Sequence, residues 1–231
     1  MVSVCMAAYK GDKYIQKQIE SILQNLSKDD ELIVSDDARD EKLTAYLKQM
    51  SNKSGIKIIS LEGPKKGVVK NFENAMRMAK GDVIFLSDQD DVWMLDKVEK
   101  VMKHFENPNC MMVVHDAQLI DGNGNDLGRN MFEIRNSGPG MLKNIWKNSF
   151  VGCCMAFRKE VRDKALPIPE RGMLHDQWLG LQTHKIGQVE FEKEKLIQYR
   201  RHEDNVSQMT HLPVYKMIFN RIYLCWRLLV G

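Results

Sequence analysis

Long hydrophobic runs are missing from this 231-residue sequence, and no uninterrupted apolar stretch reaches the length a helix needs to span a bilayer. The opening run Val2–Tyr9 is apolar, but it carries no charged leader and stops at Lys10-Gly11-Asp12, so it does not read as a secretion signal. Cysteine is sparse: Cys5, Cys110, Cys153, Cys154 and Cys225 form no C-x-x-C pair, and their odd number in scattered apolar settings argues against a disulfide framework. They read as small hydrophobic core residues in a reducing compartment. Together these features predict a cytoplasmic protein. Net charge is also low, at +3, which gives no warrant for a nucleic-acid reader. So slight a basic excess suits a phosphate-bearing ligand or an anionic membrane surface without requiring either. Glycine fingerprints are lacking too. The turn after the first strand reads Ala7-Ala8-Tyr9-Lys10-Gly11-Asp12, not G-x-G-x-x-G, and no G-x-x-x-x-G-K-[ST] occurs. Phosphate must then be met by a metal and by side chains such as Lys70, Arg200 and Arg201.

What is present fills a core. Hydrophobic residues make up 43% and charged residues 28% of the chain, an ordinary globular balance. Short apolar runs at Val2–Ala8, Glu31–Ser35, Ile56–Leu61 and Asp82–Leu86 alternate with helical spacing through Tyr14–Leu26, Leu43–Met50, Val68–Ala79 and Leu95–Phe105. Continuous rather than alternating strands in a βαβαβαβ order predict an α/β fold, a mostly parallel, Rossmann-like sheet with helices on both faces. After Asn107-Pro108 the pattern changes. Met111–His115 reads as a strand, Asp121–Asn125 as a turn, Asn136–Gly140 as a loop and Phe150–Phe157 as a buried strand; Leu174–Lys185 is helical and Leu196–Tyr199 extended. One domain is expected, with a nucleotide-binding half over 1–107, an acceptor half over 108–212 and a final helix over 213–231.

Acidic residues gather where ligands bind in open parallel sheets, at the carboxyl ends of strands. They are Asp36-Asp37, Asp88-Gln89-Asp90-Asp91 and Asp116. Any one of them serves as a turn or N-cap former. Several at one mouth repel one another unless a cation or donor groups compensate, and hard oxygen ligands favour Mg²⁺ or Mn²⁺ bridging a diphosphate. Trp93 and Trp178 suit either a sugar face or the core.

The ordered series of motifs resembles glycosyltransferase family 2. It runs Val2-Ser3-Val4-Cys5-Met6-Ala7-Ala8-Tyr9, Ile33-Val34-Ser35-Asp36-Asp37, Asn71-Phe72, and Gly81-Asp82-Val83-Ile84-Phe85-Leu86-Ser87-Asp88-Gln89-Asp90-Asp91-Val92-Trp93. It continues with Gly152–Phe157, His175-Asp176-Gln177-Trp178, and Tyr199-Arg200 with His202, Asn205 and Ser207. The subgroup it is similar to is the bacterial rhamnosyltransferase-like enzymes of surface-polysaccharide assembly. That resemblance implies a GT-A fold, an inverting mechanism, a divalent metal and a UDP- or dTDP-linked sugar donor. It places Ala7, Tyr9, Asp37, Lys70, Asp88, Gln89, Arg200 and His202 at the nucleotide sugar, Asp90 on the metal and Asp176 as the catalytic base. The chain departs from the family after Asp36-Asp37, where Ala38-Arg39-Asp40 replaces the usual Gly-Ser-x-Asp.

From Pro213, Tyr215, Ile218, Phe219, Ile222, Trp226 and Leu229 recur at helical spacing, with Lys216, Arg221 and Arg227 between them. Such a helix packs on its own domain or a partner subunit in a homodimer, or lies on a membrane surface beside a lipid-linked acceptor. The sequence leaves these open, as it does any native continuation past Gly231. Two other functions stay in view: a non-catalytic sugar-nucleotide-binding module, and a nucleotide-cofactor oxidoreductase, which the missing glycine fingerprint disfavours.

Overall fold

The computed structural model describes residues 1–11, 13–170, 173–202 and 214–230. Its first half follows the predicted alternation: β1 (Val2–Ala8), α1 (Ile15–Leu23), β2 (Glu31–Asp36), α2 (Glu41–Ser54), β3 (Lys57–Glu62), α3 (Val68–Met78) and β4 (Val83–Ser87). β3, β2, β1 and β4 lie side by side in that order, all parallel. Every residue of β1, β2 and β4 is buried, as expected of strands covered on both faces. The helices cover them with apolar stripes, Ile15, Ile19 and Ile22 on α1 and Phe72, Ala75 and Met76 on α3. Local signals set the ends of α2. The Asp40 carboxylate accepts from Lys42 N at 2.9 Å at its start, and Gly55 at φ +71° closes it.

The second half continues the same sheet. β5 (Val92–Trp93) and α4 (Lys97–His104) lead to β6 (Cys110–Ile120), β7 (Asp126–Asn130), and the short helices α5 (Met131–Arg135) and α6 (Met141–Trp146). A 3₁₀ turn at Gly152–Cys154 precedes β8 (Met155–Arg158), α7 (Lys159–Ala165), α8 (His175–Thr183), β9 (Gln188–Arg200) and α9 (Val214–Val230). The sheet order is β3-β2-β1-β4-β8-β6-β9-β5, with β7 on β6. β1, β2, β3, β4, β6 and β9 run one way and β5, β7 and β8 the other. The mostly parallel α/β sheet is therefore as the sequence predicts.

Three expectations change. Of the apolar run Phe150–Phe157 only residues 155–157 are strand, in β8, because Cys154 N turns back to Val151 O at 2.9 Å. The extended segment at Leu196–Tyr199 reaches back to Gln188, half-buried over 189–192 and exposed over 193–195. Asp116 is not at a strand end but in the middle of β6, where its Oδ1 accepts from Ala117 N at 2.7 Å and Phe132 N at 2.8 Å.

Candidate active site

β1, β2 and β4 end level with one another, Ala8 opposite Asp36 and Met6 opposite Ser87. Their following loops therefore meet at one mouth, which opens into a cleft of about 1470 Å³. At one end lie Ala7, Tyr9 and Asp37. The Gln89 amide clamps the Tyr9 backbone from across the mouth, accepting from Tyr9 N at 2.8 Å and donating to Tyr9 O at 2.9 Å. Both oxygens of Asp37 are engaged by the loop before α3, from Lys65 N at 2.8 Å and Gly67 N at 3.1 Å. That loop passes so close that a Cβ on Gly63 would stand 2.3 Å from Asp37 Oδ1.

The acidic turn forms the middle of the cleft. β5 pairs antiparallel with β9, Val92 opposite Gln198, and this register brings the turn beneath the end of β9. Arg200 pins it there: its backbone N donates to Asp91 Oδ1 at 3.0 Å and its Nε to Asp90 O at 2.9 Å. His202 Nε2 meets Asp90 Oδ2 at 2.8 Å. Burial, with the Asp90 carboxylate next and that of Asp176 contributing, pushes Asp88 up to about 7. Burial likewise holds Asp91 well above the usual carboxylate range, with Asp90 and Asp88 adding to it. Three crowded carboxylates, two of them shifted upward, are a place where positive charge binds.

Asp176 stands in the same cleft, in the first turn of α8. Its Oδ1 accepts from Asn148 Nδ2 at 3.2 Å and from Gln177 N at 2.6 Å. Oδ2 accepts no hydrogen bond among the described residues. His175 beside it packs on Phe72, ring centroids 4.4 Å apart, and a Cβ on Gly152 would lie 2.5 Å from its Nε2.

Two donor sets for a metal are distinguishable by chemistry. One ligand atom each from Asp88, Asp91 and Cys153 lie within 4.8 Å of one another. Asp91 and Cys153 face the core, however, and a hydrogen bond with Cys154 followed by burial holds the Cys153 thiol well above its ordinary value, protonated. A protonated thiol is a poor ligand for a hard cation. Asp88, Asp90 and His202 instead line the cleft, and carboxylate with imidazole fits Mn²⁺ or Mg²⁺.

The structure thus brings together Ala7, Tyr9, Asp37, Asp88, Gln89, Asp90, Asp176 and His202 from the sequence reading. Lys70 and Arg200 are not among the residues lining the cleft. The Lys70 ammonium pairs with Glu73 at 2.8 Å and donates to Ile168 O at 2.9 Å, in a separate hollow of about 250 Å³. Arg200 is buried, holding the turn and lying over the Tyr14 ring at 4.6 Å. Trp93 and Trp178 are both core residues; Trp178 Nε1 donates to Ala165 O at 2.7 Å. Asn205 and Ser207 lie outside the described residues. The cations lining the cleft that the sequence reading did not single out are Lys10, Lys13, Lys65 and Arg135. Lys10 directly follows the quoted strand-end motif and was within reach of it; Arg135 ends a short helix that carries no periodic signal.

Comparison with known proteins gives the same picture. Residues 3–166 match Glycosyl transferase family 2. An uncharacterized glycosyltransferase of Nostoc is 24% identical over 211 residues, covering 88% of this chain and 66% of that protein. The dTDP-rhamnosyl transferase RfbG of Shigella flexneri is 31% identical over 112 residues, 46% of this chain and 39% of that one. Among solved structures, S. aureus TarS 1–349 in complex with UDP-GlcNAc superposes with a TM-score of 0.74 at 15% identity, over 97% of this chain and 65% of that one. The fold is therefore that of a glycosyltransferase, and the chain spans less than two thirds of each of these relatives.

Proposed function

The chain belongs to glycosyl transferase family 2, and on that premise we propose that it moves a hexosyl or rhamnosyl group from a UDP- or dTDP-linked donor to a saccharide acceptor. The acceptor is free or lipid-linked, the anomeric carbon is inverted, and the product belongs to bacterial surface polysaccharide. The observation that carries this reading is one cleft holding the strand-end nucleotide loops, the Asp88–Asp90 turn and Asp176.

In this reading Ala7, Tyr9 and Asp37 receive the nucleoside, with Gln89 fixing the Tyr9 backbone. Lys10, Lys13 and Lys65 supply positive charge along the phosphate path. Asn148 and the Gln177 amide hold Asp176 by Oδ1, which leaves Oδ2 to take the proton of the acceptor hydroxyl. As that O–H breaks, the acceptor oxygen bonds to the anomeric carbon, the bond to the diphosphate breaks, and the nucleoside diphosphate departs. Asp90, with Asp88 and His202 beside it, would hold Mn²⁺ or Mg²⁺, which would supply positive charge for the departing diphosphate. The 1–107 half carries the donor and the 108–212 half the acceptor.

Calorimetric titration of UDP and dTDP tests donor binding. Affinity is expected with Mn²⁺ present, and to weaken both in EDTA and in Asp90→Ala. Equal affinity in all three conditions removes Asp90 from a metal site. Donor binding with no turnover on any acceptor makes the chain a sugar-nucleotide-binding module instead.

A further inference from the structure

α9 packs inward through Leu224 and Leu228 and leaves Phe219, Ile222, Trp226 and Leu229 exposed. The sequence alone marks this helix as amphipathic. What the structure adds is that α9 does not stand alone. Arg221 donates from Nε to Trp146 O at 2.9 Å, with a second bond from Nη2, and its guanidinium lies 5.0 Å over the Trp146 ring. α6 is thereby joined to α9 and presents Leu142, 82% exposed, and Trp146, 71% exposed, beside it. The two linked helices together expose Leu142, Trp146, Phe219, Ile222, Trp226 and Leu229, more than the scattered single residues that ordinary surfaces show.

The charge these two helices carry has one sign. Lys143 lies in α6 and Lys147 just after it; Arg221 and Arg227 belong to α9; neither 141–147 nor 214–230 contains Asp or Glu. A second copy of the same face would set these cations against one another with no carboxylate between them. Apolar side chains, exposed indole rings and a wholly basic fringe are instead the composition that lies in the headgroup region of an anionic bilayer. No described helix is long and apolar enough to cross a membrane, so the contact is with its surface.

The same helix reaches the catalytic cleft. Gln177 Nε2, next to Asp176, donates to Asn144 O in α6 at 2.8 Å, and Asn148, just past α6, touches Asp176 itself. We propose that α6 and α9 form one docking face for an anionic lipid bilayer, which holds the Asp176 side of the cleft at the membrane and presents it to a lipid-linked acceptor. The second part rests on the glycosyl-transfer reading given above; the docking part does not.

Co-sedimentation of the full chain with phosphatidylglycerol vesicles and with phosphatidylcholine vesicles tests it. Binding is expected to phosphatidylglycerol only, and to weaken as salt rises. Phe219→Glu with Trp226→Glu should abolish it. Leu142→Glu, on α6, should reduce it severalfold. Circular dichroism and hydrolysis of the water-soluble donor should be unchanged in these variants, because each altered side chain is exposed and outside the cleft. Failure of donor hydrolysis in every protein, with vesicle binding intact, would remove the acceptor assignment and leave the docking face. Absence of binding to phosphatidylglycerol, equal binding to both lipids, or a concentration-dependent dimer lost in Phe219→Glu would each overturn the proposal. Full binding by Leu142→Glu would overturn the part given to α6.

Discussion

Lys97 carries its ammonium into the core directly behind the acidic turn. It donates to Cys153 O at 3.0 Å and lies 3.8 Å over the Trp93 ring. Burial brings it down to about 8, while the neighbouring thiols and the carboxylates of Asp91 and Asp88 pull the other way. Its folded value lies below its unfolded one, so its contribution to stability is present at high pH and is lost as pH falls through about 8. Asp88 and Asp91 are shifted upward and shed their protons as pH rises. The second trend makes Lys97 most valuable near pH 8, where much of it is still charged and the carboxylates have ionised, as a buried cation beside an otherwise repulsive pair. Lys97→Met in metal-free buffer should therefore lower Tm more at pH 8 than at pH 5, read by circular dichroism. An equal loss at both pH values would show that Lys97 acts only through packing.

α4 and β9 are joined by a half-buried polar bridge. His104 Nδ1 meets Glu190 at 2.7 Å and Nε2 meets Glu192 at 2.9 Å. Burial opposes the imidazolium, but the hydrogen bonds to the two glutamates outweigh it and raise His104 above its ordinary value. A raised histidine stabilises the fold fully below its unfolded value near 6.5, and that stabilisation is lost as pH climbs through the folded value. The Tm difference between the wild-type chain and His104→Gln should be largest at pH 6 and shrink by pH 9. A constant difference would deny the imidazolium any role.

At this scale the sequence was read unevenly, and for physical reasons. α4 was legible because Val98, Val101, Met102 and Phe105 repeat at helical spacing, and β1, β2 and β4 because strands buried on both faces are continuously apolar. The first half of β9 was missed because the glutamates and lysines of 190–195 leave only Val189 and Phe191 apolar there. β5, α5, α6 and α7 are two to seven residues long, too short for any period to show.

For the whole molecule the same asymmetry governs the site. The strand-end side of the cleft was legible because parallel topology places strand ends at one mouth, and Ala7, Asp37 and Asp88 are all at such ends. On the opposite side only Asp176 was singled out, through the His175-Asp176-Gln177-Trp178 motif. Its neighbours Asn148, Phe150 and Arg135 reach the cleft from loops and short helices that carry no pattern of their own. Lys70 does not line the cleft because, in the first turn of α3, it pairs with Glu73 and donates to Ile168 O, a tertiary contact ninety-eight residues away. Asp116, grouped in the sequence with the strand-end acids, is consumed by the backbone of β6 and α5 and does not line the cleft.

The central claim is that Asp176 removes the acceptor proton in sugar transfer from a nucleotide donor. Asn keeps the size of Asp and can still accept from Asn148 and Gln177, but it takes no proton at neutral pH. The decisive measurement is the single-turnover rate of sugar transfer by the wild-type chain and by Asp176→Asn. It uses UDP- and dTDP-sugars, Mn²⁺ and an extract of bacterial lipid-linked saccharides as acceptor. Transfer by the wild-type chain, a loss of about 10²–10⁴-fold in the variant, and unchanged titration of UDP or dTDP by both are the result this account predicts; transfer by Asp176→Asn at the wild-type rate would contradict it.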